Sequence, residues 1–267
     1  MGIKKNFLFS GILTVSNYLF PLITFPYISR VLGVKGVGLY NYVDNIINYF
    51  ILISMMGISI IGIRVIAQNK DDKIKLNKSF SSLFLLNAIF TVIATVILIT
   101  VIELVPKFSI YKEMLYIGSA KLFFNLFLIE WFYKGIENFK LITIRTILIK
   151  LIYVILIFLF INNPSDYKTY YLITICSVLF NAIVNWIYSK KFVVFSIKTI
   201  DYKPYIPSII NLGVYALTNS IATTFNIMYL GLISGDTEVG YYTTAAKIYN
   251  IFLSLYTAFT GVMLPRM

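Results

Sequence analysis

Histidine is absent from the 267 residues, and cysteine occurs once. Without histidine there is no imidazole metal site, no Ser-His nucleophile pair and no imidazole proton relay. A single cysteine excludes an intramolecular disulfide. Cys176 lies in an apolar run and reads as a small buried hydrophobe. Charge is scarce: only 13% of residues are Asp, Glu, Lys or Arg, against roughly 25% in soluble domains. Acids are scarcer still, 11 against 23 basic residues, for a formal net charge of +12. Neither an Asp-rich motif nor a loop long enough to form a separate domain is present, so a catalytic constellation has nowhere to sit. No enzyme, cofactor or metal site is expected.

What the chain has is apolar length. It is 59% hydrophobic with a mean hydropathy of +0.83. Runs of about 20 apolar residues cross a bilayer as helices. The expectation is an all-α, polytopic membrane protein with eight spans at about 7–29, 39–63, 80–104, 114–134, 141–161, 169–189, 207–232 and 240–264. The first span is too long for a signal-peptide core and lacks a small-residue cleavage site. Residue 6 is Asn, so the Met-Gly start is not a myristoylation motif.

The basic residues are distributed by side. Fifteen of them, including Lys4, Lys5, Arg64, Lys70, Lys140, Arg145, Lys191, Lys198 and Arg266, fall on the side of the N-terminus; five, Arg30, Lys35, Lys107, Lys112 and Lys168, fall on the other. The positive-inside rule then places the N-terminus in the cytoplasm. The positive charge is a topology signal and an attraction to anionic headgroups, not a nucleic-acid footprint. Trp131 and Trp186, with Tyr133 and Tyr188 beside them, fall at cytoplasmic span ends and read as an interfacial aromatic belt.

The chain repeats itself at an offset of 202 residues without a gap: Gly11 falls on Gly213, Asn17 on Asn219, Gly33 on Gly235, Gly38 on Gly240, Tyr40 on Tyr242, Asn48 on Asn250 and Arg64 on Arg266. Parallel repeats of this kind build transporters. The domains expected are 1–203, a first six-helix lobe, and 204–267, the first two helices of a second lobe.

Within the repeats, polar residues form stripes at helical spacing. The second span carries Asn41, Asp44, Asn45 and Asn48, and its counterpart carries Thr243, Lys247, Asn250, Ser254 and Thr257. The first carries Ser10, Thr14, Asn17 and Thr24, and its counterpart Asn211, Thr218, Asn219, Thr223 and Asn226. Any one such residue is commonly helix–helix glue. Four aligned stripes point to a shared hydrated cavity between the repeats. Lys121, Lys150 and Lys247 lie within spans, as do Asp44 and Glu130. A charge at the bilayer centre costs at least ~2.5 kcal/mol, so it faces a cavity or a partner. Lys121 could snorkel, Glu130 could be solvated at an interface, and Lys247 could pair with Asp44 across the repeats. The excess of cations suits an anionic ligand such as a phosphate or pyrophosphate.

The run Pro26-Tyr-Ile-Ser-Arg-Val-Leu-Gly-Val-Lys-Gly-Val-Gly-Leu-Tyr40 resembles the first external turn of bacterial O-antigen and polysaccharide flippases, relatives of the multidrug/toxin extruders. Gly235-Asp-Thr-Glu-Val-Gly-Tyr-Tyr-Thr-Thr-Ala-Ala-Lys247 and the closing Leu264-Pro-Arg-Met267 are similar to the region of the seventh and eighth helices of the same family. The resemblance implies two facing lobes of about six helices. It also implies transport, by alternating access, of an undecaprenyl-pyrophosphate-linked oligosaccharide from the inner to the outer leaflet of the cytoplasmic membrane. Membrane lipids, a polysaccharide polymerase and other assembly proteins would be the partners. Basic cavity residues would meet the anionic sugar-lipid: Lys121, Lys150 and Lys247, with Asn17, Asn48, Asn219 and Asn250 lining the cavity and Asp44 or Glu130 coupling the cycle to an ion gradient. Arg30 reads more simply as an external-loop charge on lipid phosphate. Two copies of a 202-residue repeat need more than 267 residues, so a truncated fragment or disrupted frame is expected. The alternatives are a cation-coupled multidrug extruder, whose cavity should hold more acids than bases, and a membrane enzyme of polysaccharide assembly.

Overall fold

The computed structural model describes residues 3–196 and 200–263. Lys198, Arg266 and the Leu264–Met267 motif lie outside the described residues, as do the side chains of Lys4, Thr223, Ser254 and Thr257. The described chain is mostly helical: α1 Ile3–Met55, α2 Ile58–Asn69, α3 Lys73–Leu104, α4 Lys112–Asn125, α5 Glu130–Gly135, α6 Phe139–Phe160, α7 Tyr167–Ser189, α8 Ile206–Ser220, α9 Asn226–Ile233 and α10 Asp236–Met263. Five helical stretches, Lys5–Met55, Lys73–Leu104, Pro106–Gly135, Phe139–Phe160 and Pro164–Ser189, are long and apolar enough to span a bilayer. The protein is an all-α, polytopic membrane protein.

The first of these stretches is two passes. Gly33 has φ 67° and breaks α1 into an N-terminal and a C-terminal arm. Lys247 reaches both the Phe25 ring and Asn41, one residue on each arm and each eight positions from Gly33, so the chain doubles back there. Gly235 likewise has a positive φ, 90°, ahead of α10. These are the two glycines that the repeat superposes, and they are the only described glycines with positive φ. A side chain at either would strain the turn.

Two passes are interrupted where the apolar pattern predicts unbroken spans. The second breaks at Met56, φ 43°, and Gly57 before α2 resumes. The fourth breaks at Leu126–Leu128 and at Ile129, φ 38°, before α5. Hydropathy cannot register these breaks, because the residues that carry them are themselves apolar. The seventh pass contains a π turn at Ile221–Phe225 between α8 and α9. Start signals are local: the Asp72 carboxylate accepts the backbone N–H groups of Ile74 and Lys75 at 3.0 and 3.1 Å and caps α3.

Packing organises two cores. One gathers Tyr42, Ile46, Ile47, Leu115, Leu122, Tyr171 and Val239. The other gathers Phe80, Leu83, Trp131, Phe132, Tyr133 and Ile58. Trp131 and Tyr133 are therefore core residues and not members of an interfacial belt, at 3% and 0% exposure. The Trp131 indole lies on Gly62, where a Cβ would come within 2.7 Å of the ring, and the Trp186 ring lies tilted over Phe84 with centroids 4.8 Å apart. Cys176 is exposed on α7 and not buried. On an apolar membrane helix an exposed thiol meets lipid, which its weak polarity tolerates.

Candidate functional site

Where the two repeats meet, the contact is nearly unchanged when the repeats are exchanged. A Cβ at Gly38 would collide with the Asp236 carbonyl, and one at Gly240 with the Val34 carbonyl. Residues 34 and 236 are themselves 202 positions apart, as are Gly38 and Gly240. One turn further in, Asn41 Nδ2 donates to Thr243 Oγ1 at 3.0 Å, again between repeat-equivalent positions. Outside this seam, the Tyr111 hydroxyl donates to Asp236 Oδ1 at 2.6 Å, and Lys107 reaches the Leu232 carbonyl. These contacts fasten the second repeat's turn to the first bundle.

Below the seam lie the charged groups. Lys121 Nζ on α4 makes a 2.6 Å ion pair with Asp44 and donates to Asn48 Oδ1 at 2.9 Å, while Asn48 Nδ2 donates to Asp44 Oδ2 at 3.0 Å. The pair is largely buried, with the two side chains 11% and 15% exposed. Lys121 thus does not snorkel, and Asp44 is taken by Lys121 rather than Lys247. Lys247 donates to Asn41 Oδ1 at 3.2 Å and sits 4.5 Å from the Phe25 ring centroid. Lys150 on α6 donates to Asn17 Oδ1 at 2.6 Å and to the Ser16 carbonyl at 3.4 Å, with Phe20 5.7 Å away. Among the described residues, no carboxylate lies within ion-pair distance of Lys150 or Lys247. Amide oxygens and ring faces hold a cation loosely, at about 0.5–2 kcal/mol for a ring.

Glu130 belongs to a different cluster. It lies 3.3 Å from Lys134 and 3.4 Å from Arg145. Arg145, counted from the sequence as a loop charge, lies in the second turn of α6 with its side chain 4% exposed. It donates to Asn185 Oδ1, Asn185 donates to the Leu128 carbonyl, and the Tyr133 hydroxyl donates to the Asn185 carbonyl. Asn185 therefore holds the break in the fourth pass. A lone Asn in an apolar run gives no such signal; an Arg one turn inside a span was the readable clue.

Asn17, Asn48, Asn219 and Asn250 are all exposed, and they form two repeat pairs. Of the polar stripes, Thr14, Thr24 and Thr218 spend their hydroxyls on the preceding turn of their own helices, bonding Ser10, Phe20 and Val214 carbonyls. They contribute little polarity beyond the helix.

Antiparallel apolar passes, a repeated turn and cations inside the bundle define a multi-pass membrane protein with a basic, amide-rich interior. The chain belongs to the polysaccharide biosynthesis protein family, whose model matches residues 3–267. Two curated relatives are both named "Putative O-antigen transporter". The one from Escherichia coli (strain K12) is 26% identical over all of this chain, which spans 65% of that relative's length. The one from Shigella dysenteriae is 24% identical over 99% of the chain and 67% of its own length. No solved structure matches the chain significantly.

Proposed function

We propose that this chain acts in a flippase that carries an undecaprenyl-pyrophosphate-linked oligosaccharide from the inner to the outer leaflet of the cytoplasmic membrane. It works as a transporter and not as an enzyme, with its N-terminus in the cytoplasm. Residues 1–203 act as one lobe and 204–267 as the beginning of the next, and the lobes rock about the glycine seam to expose the cavity alternately. The polyprenyl tail stays in lipid beside it.

The observation that carries this reading is the pair of lysines without carboxylates. Lys150 and Lys247 come from different lobes, and both dock on the N-terminal arm of α1 through Asn17, Phe20 and Phe25. A pyrophosphate offers each a charge-assisted bond stronger than the neutral one it gives up. Exposed Asn17, Asn48, Asn219 and Asn250 suit the wall of a wet cleft, since polar groups on a lipid face are costly. Lys121 is held by Asp44 until the anion competes for it, and Asp44 or Glu130, once released from its cation, would take up the coupling ion. The relatives' names, both transporters, support the same direction.

The test is complementation of a host lacking its own flippase, with the matching glycosyltransferases present and surface glycan as the readout. The chain is supplied alone and joined to the part of the Escherichia coli relative that it does not span. Lys150→Met and Lys247→Met should abolish rescue while leaving the protein at wild-type abundance, because neither strands a carboxylate. Rescue that survives both substitutions refutes the role given to these lysines. If no version rescues with any glycan and drug accumulation falls instead, the extruder reading replaces this one.

A further inference from the structure

Between the start of α6 and the end of α7 runs a crevice of about 500 Å³, lined by neither Lys150 nor Lys247. Its rim is polar, with Lys140, Arg145 and Tyr188; its wall is apolar, with Ile144, Leu148 and Val184. Lys140, Ile144 and Leu148 stand four residues apart, so they form one column down α6. Lys140 is the second residue of the helix, and Leu148 lies about 12 Å deeper along it. This column runs cation first and apolar after, the order in which a lipid presents headgroup and chain, with buried Arg145 beside it between Ile144 and Leu148. Ile144, Leu148 and Val184 are 44%, 55% and 40% exposed, so the wall is open to the surrounding bilayer.

Arg145 supplies the independent sign of a ligand. Its guanidinium is buried, yet its nearest carboxylate, Glu130, is 3.4 Å away, with its own side chain 40% exposed and shared with Lys134. Arg145 Nε is buried without any hydrogen-bond partner. The planar fork that would grip a phosphate through Nε and Nη2 is therefore half empty. We propose that this crevice is a binding site for an anionic glycerophospholipid of the membrane, with its phosphate on Lys140 and Arg145 and one acyl chain along Ile144, Leu148 and Val184. Basic pockets between helix ends hold anionic headgroups in this way.

The site is separate from the cation pair at α1 and does not depend on whether the chain flips a glycan, so the test reads binding alone. The purified full chain is heated in zwitterionic detergent with added phosphatidylglycerol, phosphatidylcholine, inorganic phosphate or undecaprenyl phosphate. Lipid retained on the intact protein is counted by native mass spectrometry. Phosphatidylglycerol should raise the unfolding temperature where phosphatidylcholine does not. Lys140→Gln should raise the concentration needed about tenfold, the loss of one charge-assisted contact. Arg145→Gln risks misfolding through Asn185, so Leu148→Trp, which fills the crevice and removes no polar group, is the second variant; it should abolish the shift and the retained lipid. Equal action of phosphatidylcholine, or no effect of either Lys140→Gln or Leu148→Trp, overturns the site. Inorganic phosphate reproducing the shift overturns its assignment to a lipid. Undecaprenyl phosphate acting at lower concentration than phosphatidylglycerol assigns the crevice to the cargo lipid and overturns the proposal as stated.

Discussion

The seam between the repeats makes a direct prediction about Gly38. An alanine Cβ there would stand 2.8 Å from both the Asp236 carbonyl carbon and the Gly240 nitrogen, and nearer still to the Asp236 oxygen, where ordinary contact begins at 3.4 Å. The neighbours are backbone, so no side chain can swing aside. The arms of α1 and α10 must separate by at least the several tenths of an ångström that divide those values. Overpacking of this kind costs about 1–3 kcal/mol. If the cost falls on the closed seam alone, the ratio of closed to open forms drops roughly 5- to 150-fold. Cysteines replacing Tyr111 and Asp236, whose side-chain tips meet at 2.6 Å, report that ratio by cross-linking in membranes with a short bifunctional thiol reagent, once the single native Cys176 is replaced by alanine. Gly38→Ala should lower the cross-linking rate sharply. Gly240→Ala, which meets Val34 in the same gap, should do likewise, and the double variant should lose less than the sum because the first substitution has already opened the space. Unchanged cross-linking in Gly38→Ala would falsify the close backbone packing assigned to this seam.

The Asp44–Lys121 pair should respond asymmetrically: Asp44→Asn or Lys121→Met alone strands a buried charge and costs about 3–5 kcal/mol, whereas the double variant should unfold near the wild-type temperature. Summed losses in the double variant would refute the pairing. Backbone N–H bonds, that of Lys75 first, hold the Asp72 carboxyl below its ordinary range. A depressed folded value contributes stability above the unfolded pKa and loses it as pH falls through the folded one, so Asp72→Ala should flatten the acid limb of an unfolding-temperature profile and leave the alkaline limb unchanged. Lys70 likewise holds Glu137 down through a side-chain hydrogen bond. Glu137→Gln should therefore also weaken the dependence on acid pH, and salt should reduce the wild-type effect, because the 2.8 Å pair is partly solvated.

How much of this was legible depended on which signal each feature leaves in the sequence. Membrane passes are written in apolar length: the first six expected spans fall on the five stretches long and apolar enough to cross a bilayer, the first of them doubled at Gly33, with α2 continuing the second. The turns at Gly33 and Gly235 were legible because only glycine occupies that backbone region cheaply and the repeat displays both. Breaks at Met56 and Ile129 were not legible, since their side chains are as apolar as those of the helices they interrupt. The charged partners were half legible. Lys121 and Asp44 stood out as intramembrane charges, but their pairing is a tertiary fact across 77 residues. Arg145 was miscounted as a loop residue because it lies so near a helix start, where hydropathy alone cannot separate a rim cation from a buried one. Trp131 was misread for the related reason that an indole near a span end serves equally as an anchor or as core, and Gly62, distant in sequence, decides between them.

The symmetry of the seam also shows where the two repeats have parted. Gly38 facing Asp236 and Gly240 facing Val34 is the isologous pattern of a two-fold contact, here within one chain. Asn41 against Thr243 lies close to the axis and already differs across it. One turn further in, the equivalents are Asn45 and Lys247. Asn45 leaves its Oδ1 buried without a hydrogen-bond partner, whereas Lys247 reaches past the axis to Asn41 and the Phe25 face. A strictly symmetric site would place two neutral amides or two cations there. Two amides would offer an anion no charge, and two lysines at the seam would repel each other and hold it open. One lysine opposite one asparagine puts a single cation beside the seam with no like charge across it. The repeat thus accounts for the scaffold, and the departure from it at residues 45 and 247 accounts for the polarity of the site.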